Sequence, residues 1–240
     1  MRQKRGKARL LTVTIAGAAI ALLGACAGRQ LAPVGEPVVD ASATAADLID
    51  ATIPLNPRKA TFSWNLREGT TRLHGRGVAR YVAPERLRLD LFGPRGETYL
   101  AATLVGDRAR IPDAVAEGIA LPSPSLLWAA LGVLRPPSGA RLMSVTTTGP
   151  TTSIRYGVGE DEIYDFALET SPTGARLIRV ERAGPSGVRE TLELHYSEAG
   201  EITSTNYRDW SAYRDLVLEM EMVEDALPFP DEIWIPGGDR

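Results

Sequence analysis

Cysteine is almost missing from this chain. Cys26 is the only one in 240 residues, so no intramolecular disulfide can form and the core must hold the fold alone. Histidine is nearly as scarce: His74 and His195 are the only two, both in strand-like patterns opposite apolar neighbours, and neither has a second ligand at metal spacing. A membrane-spanning run is missing too, because the apolar stretch Leu10–Leu23 is about 14 residues long where a span needs ~20. Basic charge is in deficit. Arg2, Lys4, Arg5, Lys7 and Arg9 all precede that stretch, and without residues 1–25 the chain keeps 22 basic against 30 acidic side chains, a net charge of −8. Such a balance argues against nucleic acid as a partner.

What is present begins at the N-terminus. The basic residues, the apolar stretch and the closing Leu23-Gly24-Ala25-Cys26 resemble a bacterial lipoprotein signal. The resemblance implies cleavage before Cys26, removal of residues 1–25 as signal peptide, and acyl chains on Cys26. Small residues alone would also suit ordinary secretory cleavage; the cysteine directly after them favours lipidation. Cys26 is then an anchor, not a catalytic thiol, and several acyl chains would hold the protein at a membrane surface. Residues 26–43, with Pro33 and Pro37 and no apolar periodicity, read as a flexible tether of at most ~60 Å. Residues 44–240 read as one domain of a size in which a single core is ordinary.

Within that domain Thr44 is the expected N-cap of a helix carrying Leu48 and Ile49, ended by Pro54 and Pro57. From Lys59 the period becomes two: Phe62, Trp64 and Leu66 alternate with polar residues, and so do Leu87, Leu89 and Leu91. Further strands are expected at Leu73–Val82, Thr98–Val105, Leu142–Thr148, Ser153–Val158, Ile163–Glu169, Leu177–Ala183, Arg189–Tyr196, Leu216–Val223 and Glu232–Ile235. Leu216, Leu218, Met220 and Met222 form the inward face of one of them. Between the two series, Ser123-Pro124 opens a nearly all-apolar helix through Val133, stopped by Pro136-Pro137. The fold class is therefore mainly β: a strongly curved antiparallel sheet of about eleven strands, with an N-terminal helix and a central apolar helix as plug or lid.

A constellation for catalysis is not apparent, and the chain reads as a non-enzyme without metal or cofactor. Ser186 lies in a Gly-Pro-Ser-Gly turn and not in a nucleophile elbow. Glu160-Asp161-Glu162 and Glu224-Asp225 lack the alternating oxygen spacing of a calcium loop. Gly157 and Gly159 have no third glycine and no following helix to make a dinucleotide fingerprint.

Two stretches carry a family resemblance. Leu87 to Leu104, two alternating strands joined through Gly93-Pro94-Arg95-Gly96, resembles the strand, loop and strand of the LolB lipoprotein receptor within the LolA/LolB-like outer-membrane lipoprotein family. Leu121 to Val133 is similar to that family's apolar helix, entered through a proline and ending near Leu-Gly. The resemblance implies an incomplete β-barrel closed by helices, with an apolar cavity that takes acyl chains of lipoproteins handed over by a soluble periplasmic carrier. It also implies an outer-membrane location facing the periplasm, which Ala27 after the cysteine fits. On this reading Phe62, Trp64, Leu87, Leu89, Leu91, Leu100 and Met220 are candidate cavity walls, and Leu127, Trp128 and Leu131 a lid; as ordinary core the same residues would need no ligand. At the loop tip the chain departs from the family. Where that family exposes a membrane-inserting leucine this chain has Arg95, which binds phosphate headgroups but does not readily enter hydrocarbon.

Two functions follow as expectations. The first is a lipid-binding or lipoprotein-transfer protein anchored in the outer membrane. The second is a structural, interaction or sensing lipoprotein that uses the same curved sheet, its concave face filled by its own side chains.

Overall fold

A computed structural model describes residues 35–111, 121–171 and 174–235; Cys26 and the whole signal lie outside the described residues. The elements, in chain order, are β1 (Glu36–Pro37), α1 (Ala41–Thr52), β2 (Arg58–Glu68), β3 (Thr71–Val82), β4 (Arg86–Phe92), β5 (Thr98–Val105) and β6 (Arg108–Arg110). Then come α2 (Pro124–Ala129), β7 (Arg141–Thr148), β8 (Thr151–Val158), β9 (Glu162–Ser171), β10 (Gly174–Gly184), β11 (Gly187–Tyr196), β12 (Ile202–Asp209), β13 (Arg214–Asp225) and a 3-10 turn at Asp231–Trp234.

All the strands join one thirteen-stranded antiparallel sheet in the order β1-β7-β8-β9-β10-β11-β12-β13-β2-β3-β4-β5-β6. Among the described residues it is not closed into a barrel: the short strands β1 and β6 are its two edges. Two meanders, β2 to β6 and β7 to β13, meet where β13 pairs with β2 from Arg214↔Glu68 to Asp225↔Arg58. Such a wide sheet twists and curls, and both helices lie against its inner face, where α1 packs on β7 and β10 and α2 on β10. One core cluster gathers Leu48, Leu126, Ile154, Phe166, Leu168, Leu177 and Leu192; a second gathers Phe62, Trp64, Tyr81, Leu87, Trp128, Leu131 and Leu218. The segment of α2 and the turn after it therefore contributes to both.

Several elements differ from the sequence expectation. The helix cap is Asp40 and not Thr44: its carboxylate accepts from Ala43 N at 3.1 Å, and Thr44 stands one turn inside the helix. Asp is among the strongest N-cap residues, and Ala41-Ser42-Ala43 offers no obstacle to helix behind it. Ordered structure thus starts within the stretch read as tether, since Glu36 and Pro37 already pair with Thr147 and Thr146. Asp40→Ala should cost about 1 kcal/mol, and in a domain of this size lower Tm by roughly 2–4 °C in a circular-dichroism melt.

The second helix ends at Ala129, short of Val133, because Gly132 takes a left-handed φ of +81°. Residues Glu232–Ile235 are not a strand. Pro228 and Pro230 remove ladder donors, and Asp231–Trp234 instead forms the 3-10 turn, packed on β4 and β5 with Trp234 buried. Strand β12 carries no period-two apolar pattern, because its inward positions include Thr205. Met222 does not face inward. The register of β13 on β2 slips at Glu221, between Met220↔Phe62 and Met222↔Thr61, so the bulge turns Met222 to solvent and gives Val223 the place opposite Ala60.

Candidate ligand-binding cavity

Period-two alternation delivers the wall. Inward residues Phe62, Trp64 and Leu66 of β2, Leu73 and Ala79 of β3, Leu87, Leu89 and Leu91 of β4, Leu100 of β5, and Leu216 and Leu218 of β13 line one continuous space of about 560 Å³. Leu121, Pro122, Leu126, Leu127, Ala130 and Leu131 lie across it, and Leu192, Thr205 and Tyr207 line it from β11 and β12. Six of the seven candidate wall residues, Phe62, Trp64, Leu87, Leu89, Leu91 and Leu100, stand on this lining. Met220 packs at its margin against the second core cluster without lining it. Of the lid residues Leu127 and Leu131 face the space, whereas Trp128 is wholly buried beside Tyr81, ring edge to ring face, 6.2 Å between centroids.

Two glycines shape that wall. Gly77 stands directly across from Phe62 and Gly75 across from Trp64. A Cβ at Gly77 would lie 2.3 Å from Phe62 Cε2, and one at Gly75 only 1.8 Å from the Phe92 carbonyl oxygen. The rings thus fold down over a strand that has no side chain beneath them. Trp64 Nε1 donates to the carbonyls of Arg76 at 3.0 Å and Phe92 at 3.2 Å, which satisfies its one polar atom. A bulge at Tyr99, between the pairs Leu91↔Leu100 and Phe92↔Thr98, sets the Tyr99 ring edge-on to Trp64 at 5.5 Å.

The roof is pinned by hydrogen bonds at either end. Ser123 Oγ accepts from Leu126 N at 3.4 Å to start α2, Thr205 Oγ1 donates to Ala130 O at 3.0 Å, and Leu134 N donates to Thr52 Oγ1 at 2.9 Å.

One end of the cavity is polar. Glu68, Glu97, Thr98, Tyr207 and Arg214 belong to the lining there, and Glu97 and Thr98 are exposed, so the space reaches solvent on that side. Arg214 pairs with Glu68 at 2.6 Å. Behind them Tyr207 Oη donates to Glu190 Oε1 at 2.5 Å, and Arg182 donates to Glu190 Oε2 at 2.5 Å and also pairs with Glu162. Burial, reinforced by the Glu190 carboxylate, pushes the Tyr207 phenol far above its ordinary value, so it stays a neutral donor. Arg95 is exposed at the β4–β5 turn on the same side, its backbone N donating to Glu97 Oε2 at 2.9 Å.

The remaining sequence candidates have ordinary places. His74 and His195 are exposed, with His195 Nε2 3.1 Å from Asn206 Nδ2. Asp225 holds Asn56 and Arg58, Glu224 holds Lys59, and Ser186 is an exposed turn residue. Among the described residues no three of His, Cys, Asp and Glu stand close enough together to hold a metal ion. Leu66 and Leu73 were legible as continuations of the alternation, and Gly75 and Gly77 as an interruption opposite two aromatics. Leu192 and Tyr207 reach the cavity only because the second meander comes round to β2, which local periodicity does not reveal.

An open, strongly curved antiparallel sheet whose concave face holds a short apolar helix above a cavity defines the class. Among solved structures, a LolA superfamily protein from Nitrosomonas europaea matches with a TM-score of 0.55 over 82% of this chain and 98% of its own, at 13% identity. A domain described as an outer membrane lipoprotein-sorting protein, from Vibrio parahaemolyticus, matches with a TM-score of 0.50 over 81% of this chain and 96% of its own, at 8% identity. No protein-family model matches the sequence, and no curated protein matches it. The protein has a LolA-like fold.

Proposed function

We propose that this protein is a non-catalytic outer-membrane lipoprotein, held on the periplasmic side by the lipid on Cys26, whose cavity takes acyl chains of lipoproteins or lipids. The observation that carries the reading is the cavity itself: about 560 Å³ walled by aliphatic and aromatic side chains, with polar groups gathered at one end. Its size lies within the ~300–1,000 Å³ usual for small-ligand sites. An acyl chain needs no reactive group for binding, only burial at ~0.8 kcal/mol per methylene. The lining hydroxyl of Thr205 is engaged by a backbone carbonyl, and that of Tyr207 by Glu190, which leaves neither poised as a nucleophile. The likeness to the Vibrio parahaemolyticus lipoprotein-sorting domain accords with such cargo, and a soluble periplasmic carrier would supply it. An interaction or sensing lipoprotein would call for a concave face filled by its own side chains, and the open space favours a ligand instead.

Mass spectrometry of protein extracted from membranes, and displacement of a fluorescent fatty acid, test this. Leu89 lines the cavity and is only half-buried. Leu89→Trp should exclude about three methylenes, ~2.4 kcal/mol, and weaken probe binding roughly 50-fold without a matching loss of Tm. Met220→Trp, outside the lining, should leave binding unchanged. Absence of any acyl ligand together with failure to take up the probe would sink the reading.

A further inference from the structure

The β12–β13 hairpin carries the two exposed aromatic side chains among the described residues, Trp210 at 49% and Tyr213 at 81%. Its turn is built firmly: Asp209 Oδ1 accepts from Ser211 N, Ser211 Oγ and Ala212 N at 2.9, 2.6 and 3.0 Å. Tyr213 has φ +51°, the only non-glycine residue with positive φ among those described, a conformation that costs a bulky side chain free energy. The structure thus holds a strained tyrosine where it buries almost nothing. Trp210 N donates to Arg189 O at 2.8 Å and Gly69 N to Tyr213 O at 3.4 Å, which ties the turn to the hairpins on either side.

Charge is arranged around it. Arg72, Arg67, Asp215 and Arg208 are successive cross-strand partners on β3, β2, β13 and β12. Arg208 lies over the Trp210 ring, 4.7 Å from its centroid, and pairs with Asp215 at 2.5 Å. Arg67 and Arg72 are exposed and make no ion pair among the described residues. The row is net positive on a chain that is net negative. Next to Tyr213 in the chain, Arg214 pairs with Glu68 on the polar end of the cavity.

We propose that this hairpin rim docks on an anionic bilayer, with Trp210 and Tyr213 at the level of the headgroups and Arg67 and Arg72 on lipid phosphates, so that the cavity mouth faces the membrane. Tryptophan and tyrosine favour that depth because each has an apolar body and a polar tip, and guanidinium groups bind phosphate. A protein partner would need about 800 Å² on this side, more than two rings on a narrow turn offer, whereas a bilayer accepts projecting rings singly. The proposal stands on the rim alone, so acyl uptake by the cavity can fail without touching it.

Trp64, Trp128 and Trp234 are buried, which makes Trp210 the one exposed reporter among the chain's four tryptophans. The test places the full chain on vesicles of equimolar phosphatidylcholine and phosphatidylglycerol, and takes the emission lost in Trp210→Phe as the Trp210 signal. Lipids brominated near the glycerol should quench that signal, and aqueous iodide should lose access to it. Arg67→Gln and Arg72→Gln should each weaken the docking constant about fivefold, the effect of one basic residue near an anionic surface. Tyr213→Gly should reduce docking while keeping Tm at or above wild type, since glycine accepts the left-handed backbone. Quenching by iodide alone, or shielding that appears only when a soluble protein is added, would overturn the proposal.

Discussion

Gly75→Ala is expected to destabilise the protein by about 3–5 kcal/mol, a large part of the ~5–15 kcal/mol that holds an ordinary domain folded. The added methyl would lie 1.8 Å from the Phe92 oxygen, 2.9 Å from the Phe92 carbonyl carbon and 3.0 Å from Trp64 Cζ2. Two of those atoms are backbone and cannot swing aside. To make room, β3 and β4 must part where the Phe92 carbonyl accepts from Trp64 Nε1. The variant therefore adds overpacking to a weakened hydrogen bond of a buried indole. Gly77→Ala is milder, because its methyl meets the far edge of the Phe62 ring and Leu91 Cδ2, which can yield into the cavity. Urea unfolding of the two variants checks the order. A Gly75→Ala protein within 1 kcal/mol of wild type would mean that the aromatic wall is not locked by that glycine.

Asp90→Ala should cost a similar amount, about 3–5 kcal/mol, because it removes the carboxylate that the Arg88 and Arg80 guanidinium groups share in a largely dry place. Asp90 accepts from Arg88 Nε at 3.0 Å and from Arg80 Nη1 at 2.8 Å; side-chain exposure is 7% for Asp90 and 11% for Arg88. Arg88 Nη1 also donates to Ile233 O at 3.1 Å, which ties β4 to the 3-10 turn covering it. Loss of the carboxylate should then speed amide exchange at residues 231–234 as well as lower the unfolding midpoint. Because the group is shielded, raising salt should change the difference little. A difference below 1 kcal/mol, or one abolished by salt, would show that the pair behaves like the exposed ones along the sheet, such as Arg76–Glu221.

The strands were legible wherever one face is apolar and the other polar: Phe62, Trp64 and Leu66, or Leu87, Leu89 and Leu91, announce both their strand and their side. That signal, read beside the family resemblance, put Phe62, Trp64, Leu87, Leu89 and Leu91 on one face, where they line the cavity. What failed was set by events between strands. One inserted residue at Glu221 reversed the side of Met222, and no local pattern marks such a slip. Trp128 reads from its helix as lid, but the roof ends at Gly132 and the crossing turns its ring toward Tyr81 and away from the cavity. Glu232–Ile235 has strand-like alternation and is denied a place in the sheet by the flanking prolines. Arg95 is exposed at a turn as expected, and the more prominent aromatic display lies on a different hairpin.

The pairing of β13 with β2 has a kinetic consequence. Leu218 meets Trp64 and Leu216 meets Leu66 across a separation of roughly 150 residues, so this seam carries the longest loop-closure cost in the sheet. Domains dominated by such contacts fold in milliseconds to seconds, slower than chains built from local hairpins. Each meander can assemble from neighbouring hairpins, but the apolar wall exists only after the last strand has been released and has found the first. Until then Phe62, Trp64 and Leu66 present a bare strand edge, the condition in which the chain is most open to aggregation.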